Sequence, residues 1–166
     1  MAVIPLYVRM AARAGELLRS RGETVAVAES SAGGLISAAL LAVPGASSYF
    51  VGGAAVYTTL AKQELVGVSA AEFALDRAAT ETHALALARA VRRRLDTTWG
   101  IGETGAAGPT GNRYGDAAGH CCIAVAGPVD HSLTIETGQT DRWSNMEAFA
   151  EATMRLLIEA LGAVTE

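Results

Sequence analysis

Two adjacent serines, a tyrosine and a single lysine carry most of the chemistry this chain can offer. Residues 28–34 read AESSAGG, with Glu29 ahead of Ser30 and Ser31, and Gly33 and Gly34 behind them. A serine at the start of a helix can be a nucleophile, and free N–H groups beside it can hold a phosphate or an oxyanion. The same stretch also reads as a serine helix cap followed by glycines that let helix and sheet pack closely. A serine nucleophile needs a base. Lys62 is the only lysine in the chain, every other long cation being arginine. A buried lysine can lose its proton, whereas a guanidinium stays charged. Tyr57 stands shortly before Lys62, at the end of a strand-like segment. Among the histidines, His120 opens a strand and could take part. His83 falls inside a helical pattern and reads as a surface or partly buried residue.

A third stretch, GAAGPTGNRYGDAAG at 105–119, is too irregular for regular structure. It reads either as a long connection or as a ligand loop whose N–H groups and hydroxyls hold a phosphate or carbonyl oxygen. Thr104, Gly105, Gly108, Thr110 and Gly111 are its candidate contacts. Several motifs are missing. No Gly-Lys-Ser/Thr follows the first glycines, and G-x-G-x-x-G is absent, so neither a Walker loop nor a dinucleotide fingerprint is present. Glu29-x-Ser31-x-Gly33 matches the nucleophile elbow only with its first glycine replaced. There is no CxxC or HExxH and no metal-ligand spacing. Cys121 and Cys122 are neighbours that point to opposite faces of a strand, and read as two reduced, buried thiols.

The elements that must position these residues follow from periodicity. Helical spacing covers 6–19, ended by Gly22, and recurs over 33–43, around Lys62, over 79–95 and over 144–161. Short β-branched or apolar runs at 24–28, 49–59 and 98–104 read as strands, and 120–127 with 131–137 as a hairpin. Early alternation of helix and strand with a late hairpin predicts an α/β fold: one three-layer α/β/α domain over 1–166 with a mixed, mostly parallel sheet. The loops after the first three strands then share one sheet edge, where ligands collect in open α/β sheets. Arg92-Arg93-Arg94 reads as a solvated helix end in place of an anion patch. A net charge of −4 argues against a nucleic-acid surface, and no apolar run approaches a membrane span. No secretory leader is apparent at the N-terminus, which predicts a cytoplasmic protein.

Taken in order, AESSAGG, YFVGGAAVYTTLAKQELVGV, TGAAGPTG and DRWSNMEAFAEATMRLLIEAL resemble the CinA C-terminal domain family over nearly the whole chain. The resemblance implies a three-layer mixed-sheet fold, homo-oligomers, and hydrolysis of the carboxamide of nicotinamide mononucleotide (NMN) to nicotinate mononucleotide and ammonia without metal or other cofactor. It implies the stand-alone form, without the additional N-terminal domain of larger CinA proteins. The family's nucleophile falls on Ser30, its tyrosine and lysine on Tyr57 and Lys62, its Thr-Gly on Thr104 and Gly105, and its late arginine on Arg142. Departures line the substrate loops. The family's Cys-Thr is Ser31-Ala32, its second Gly-Gly is Gly111-Asn112 followed by Arg113-Tyr114-Gly115-Asp116, and Gly-Asp-Arg is Thr140-Asp141-Arg142.

The expectation is therefore an amidohydrolase. Ser30 attacks, Lys62 takes and returns the proton directly or through Tyr57, and amides around Gly33 and Gly34 stabilise the oxyanion. The 104–111 loop, with Arg113 or Arg142, holds the phosphate. The alternative keeps the pocket without catalysis, as a nucleotide-sensing or partner-binding module. A DNA-uptake or repair partner is a third reading, opposed by the acidic balance.

Overall fold

The computed structural model describes residues 3–164. Five strands form one sheet among the described residues: β1 (Val25–Glu29), β2 (Phe50–Ala55), β3 (Trp99–Ala106), β4 (His120–Ala126) and β5 (His131–Glu136), in the order β2-β1-β3-β4-β5. β1 runs parallel to both β2 and β3, while β4 is antiparallel to β3 and to β5. Only β4 therefore opposes the common direction. The sheet is mixed and mostly parallel, as periodicity predicts.

Side-chain alternation splits the core into two faces. Val25, Val27, Trp99, Ile101, Cys121, Ile123 and Val125 face α1 (Leu6–Arg21), α2 (Leu35–Leu41) and α6 (Arg142–Gly162). Bulky residues here, such as Phe149 and Leu157, are fully buried, and each contributes about 1.5–3 kcal/mol by leaving water. The opposite face is built of alanines and glycines against α3 (Thr59–Val66) and α5 (Glu81–Leu95). A Cβ on Gly100 or Gly102 would stand 2.0 Å from the carbonyl oxygen of Ala88 or Ala84. The α5 backbone thus lies directly on β3. The low aromatic and high alanine content of the chain reflects this seat.

The element boundaries differ from periodicity where caps decide. The second strand ends at Ala55 because Thr58 turns the chain into α3, its hydroxyl accepting Ala61 N–H. Thr80 caps α5, so that helix starts at Glu81. Asp141 accepts Ser144 N–H and starts α6 at Arg142, earlier than the apolar pattern suggests. The structure adds a short helix α4 (Ala70–Phe73), fixed by a Ser69/Glu72 capping box and too short for periodicity to mark. The arginine run ends α5 as a solvated terminus, with Arg93 paired to Glu72 at 2.7 Å. No helix among the described residues is long and apolar enough to cross a membrane.

Candidate active site

Parallel pairing of β1 with β2 and β3 brings the three post-strand loops to one edge. A cleft of about 410 Å³ opens there, lined by Ser30, Tyr57, Lys62, Ala79, Thr104, Arg113 and Tyr114, among others. A smaller cleft of about 240 Å³ adjoins it, sharing Ser30 and Tyr57 and adding Ser31, Gly33, Arg142 and Met146.

Two buried carboxylates shape the serine loop. Glu29, the last residue of β1, accepts the N–H groups of Gly34 (2.7 Å), Ile36 (3.1 Å) and Ser37 (2.9 Å) and the Ser37 hydroxyl (2.8 Å). Glu103 on β3 accepts the N–H groups of Ser30 (2.9 Å) and Ala32 (2.8 Å), the Ser31 hydroxyl, and the Cys121 thiol at 3.4 Å. Burial pushes the Glu103 carboxyl up, opposed by its Ser31 and backbone donors. Neither acid has an arginine or lysine ion-pair partner among the described residues; peptide dipoles and hydroxyls neutralise them.

The expected oxyanion donors, the Gly33 and Gly34 amides, are already engaged within the protein. Gly34 N–H is spent on Glu29, and Gly33 N–H bonds Ser30 carbonyl at 3.2 Å. The Ser31 hydroxyl likewise spends its hydrogen on Glu103 and is not free to donate to a substrate. Through the loop 30–37 the Ser31 N–H is the amide without a partner among the described residues. Gly33 keeps a place in the smaller cleft with φ 67°, where a Cβ would strike the Met146 methyl.

Lys62 lies in the first turns of α3 and is only 4% exposed. Its Nζ stands 3.0 Å from His83 Nε2, in the first turn of α5. Burial lowers the Lys62 pKa, with Glu103 acting the other way. Burial and then the Lys62 charge push His83 down to about 4, so its imidazole is neutral near pH 7. The surface reading of His83 is thus corrected: it is buried against the lysine. The signal lies in the helical spacing, since His83 stands four residues before Leu87, a buried position of α5, and so shares its inner face.

Thr104 Oγ1 accepts Ala79 N–H at 3.1 Å, and Ala79 is held at φ 58°, a conformation rare outside glycine. His120 supports the same residue, its Nε2 lying 2.9 Å from Ala79 carbonyl while Nδ1 meets Glu136. Two acceptors on one ring call for an imidazolium, so His120 is a brace and not a base. Gly105 sits within β3, where a Cβ would lie 2.5 Å from His120 carbonyl; it serves strand packing and also borders the cleft. Gly108 and Thr110 fall outside the residues lining either cleft, against the sequence expectation. Gly108 carbonyl instead accepts Arg142 Nη1 at 2.5 Å, which holds Arg142 in the smaller cleft.

The 112–116 loop is ordered by its own bonds. Asn112 Oδ1 accepts the N–H groups of Tyr114 (3.0 Å) and Asp116 (3.1 Å). Asp116 forms a two-pronged pair with Arg77 at 2.7 and 3.0 Å. Arg77 and Arg113 each lie over the Tyr114 ring, at 4.9 and 5.0 Å from its centroid. Arg113 has no carboxylate partner among the described residues, so its charge is left for the cleft. Tyr57 is exposed at the mouth. Ser30 Oγ forms no hydrogen bond with Tyr57 or Lys62 among the described residues. Cys121 and Cys122 are free and buried, their adjacency on a strand keeping them from bridging each other, and burial raises the thiol pKa of both.

Known proteins share this arrangement of elements. The competence/damage inducible protein CihA of Agrobacterium tumefaciens superposes with a TM-score of 0.87 at 27% identity, over 98% of this chain and 99% of that one. A CinA superfamily protein of Enterobacter cloacae gives 0.86 at 25% identity, over 97% and 95%. In sequence, a CinA-like protein of Picosynechococcus is 44% identical over 130 residues, which is 77% of this chain and 31% of that protein. One from Nostoc is 43% identical over 121 residues, 73% and 28% respectively. The chain therefore spans about three-tenths of the length of these curated relatives. The family model for the CinA C-terminal domain matches residues 8–161, the span from the first helix through the last that carries every loop of the cleft, and the chain belongs to that family.

Proposed function

We propose that the chain is an amidohydrolase that converts NMN to nicotinate mononucleotide and ammonia. One observation carries the reading: the chain's only lysine, buried and with a lowered pKa, opens into the same cleft as Ser30. A neutral amine can take the Ser30 proton as the hydroxyl oxygen bonds to the carboxamide carbon. The C–N bond then breaks, and the amine returns the proton to the departing nitrogen, which leaves as ammonia. Water, activated by the same amine, hydrolyses the serine ester to the carboxylate. The Ser31 N–H, left over after Glu29 and Glu103 take their donors, is the backbone group available to the oxyanion. The Thr104 hydroxyl, which accepts from Ala79 and keeps its own hydrogen, is a second donor. Arg113, held over the Tyr114 ring, supplies a cation for the phosphate of the nucleotide.

The test is ammonia release from NMN by the purified protein. Ser30→Ala is expected to abolish it, and an equal rate in that variant would refute the assignment. A second reading, a sensing module that binds the mononucleotide without turnover, is favoured by the absent hydrogen bond between Ser30 Oγ and Lys62. Calorimetric binding followed by recovery of unchanged NMN would support it over the first.

A further inference from the structure

His83 is an unexpected residue for its place. It is 3% exposed, with the Phe73 ring centroid 5.7 Å from its own and Lys62 Nζ 3.0 Å from Nε2. Nδ1 is buried without a hydrogen-bond partner among the described residues. A leucine would fill such a space without leaving a polar nitrogen unpaired, and unpaired buried polar groups are rare enough to call for a reason. Lys62 Nζ, for its part, makes no other hydrogen bond among the described residues. Glu103 from β3 and Asp76 from the turn after α4 are the ionisable groups that act on the pair, and neither hydrogen-bonds to it. Both residues also sit in early turns of their helices, where the positive end of the macrodipole disfavours a second cation.

We propose that His83 is the positioning residue of the Lys62 base: its neutral ring accepts one Lys62 N–H at Nε2, aiming the amine into the cleft and steadying the ammonium formed when Lys62 takes the Ser30 proton. The proposal rests on the amidohydrolase reading. The proton inventory is simple. The Ser30 O–H bond breaks, an N–H bond forms at Nζ, and the same proton later departs on ammonia. His83 keeps its Nδ1 hydrogen throughout and changes neither tautomer nor charge. With Nε2 engaged by one N–H, the lone pair of the neutral amine is left free for the hydroxyl.

The single lysine makes the test direct, because lysine labelled with carbon-13 at Cε gives one side-chain signal from the whole chain. Its pH titration is followed in the native protein, in His83→Leu, which removes the acceptor, and in His83→Gln, whose Oε1 can occupy the Nε2 position. His83→Asn, too short to reach the lysine, replaces the leucine variant should that one not fold. The lysine midpoint is expected to fall by about one unit without the acceptor and to recover in His83→Gln. With NMN, kcat is expected to drop about tenfold or more in His83→Leu at a KM within about twofold, with partial rescue in His83→Gln and an acid limb that follows the lysine midpoint. Coincident midpoints in all variants overturn the proposal, as does a loss of kcat that glutamine fails to relieve. Absence of ammonia release by the native protein removes the amidohydrolase reading, whereas an unmoved lysine midpoint removes the role of His83 alone.

Discussion

Glu103 reaches across 73 positions of sequence to accept the backbone N–H of Ser30 at 2.9 Å. The serine at the cleft is thus set from the neighbouring strand, and not by its own helix. Removing that carboxylate strands the Ser30 and Ala32 amides and the Ser31 hydroxyl in the interior. Glu103→Ala is expected to destabilise the fold by about 3–5 kcal/mol, since each buried unpaired donor costs about 1–3 kcal/mol. Urea unfolding measures this, and a loss below about 1 kcal/mol would contradict the role.

Lys62→Arg tests whether the base must shed its proton. Arginine keeps the charge and cannot become neutral. Ammonia release is expected to fall by about 10²–10⁴-fold, while NMN affinity measured by calorimetry changes little. Near-native turnover by the arginine variant would exclude Lys62 as base.

The Arg113–Tyr114 wall should govern binding more than chemistry. Its cation is unpaired by any carboxylate among the described residues, and its ring carries two guanidinium groups. Arg113→Ala is expected to raise KM for NMN about 10- to 100-fold with a smaller change in kcat, in line with about 1.5–3 kcal/mol for a charge-assisted bond. A selective drop in kcat would instead place Arg113 at the reacting carboxamide.

His120 gives the fold a pH signature. Burial works against its charge, but Glu136, the Ala79 carbonyl and Asp116 together hold its pKa above the ordinary 6.5. A raised pKa means the folded state holds the proton more tightly than the unfolded one. The stabilisation is therefore complete below the unfolded value and fades as pH climbs through the folded one. Unfolding free energies measured from pH 5 to about 9 should decline on that alkaline side, and His120→Gln should lack the decline. A native-to-variant difference that widened with rising pH would reverse the sign and refute the imidazolium.

The seat of α5 on β3 leaves no room for a methyl group. Gly100→Ala would place a Cβ 2.0 Å from Ala88 carbonyl, and is expected to cost about 1–3 kcal/mol or more because backbone must shift. A thermal melt reads this directly. An unchanged melting temperature would mean the helix can lift freely.

Much of this architecture was legible before any coordinates. The β-branched run at 24–28 marks the first strand, and 120–127 with 131–137 marks the hairpin. Ser30, Lys62 and Thr104 were legible as a group from the expected parallel strands, whose loops share one edge, and from the family resemblance. The carboxylates were not. Glu29 and Glu103 look like strand-end acids until pairing shows which amides they face. The Arg77–Asp116 pair spans 39 positions and follows no local pattern. For His83, helical periodicity tells which face is inward but not that the inward neighbour is a lysine.

The backbone-on-backbone seam at Gly100 and Gly102 has a consequence for how this cleft could change its preferences. At that seam there is no side chain to trim, so the helix carrying His83 moves there only by adding one, which displaces backbone and costs stability. The 112–116 segment is different. It is tied to the rest by the Arg77 clasp and its own turn bonds. New ligand selectivity, whether by drift or by engineering, has its accessible route through that jaw, with the side bearing Ser30 and Lys62 left unchanged.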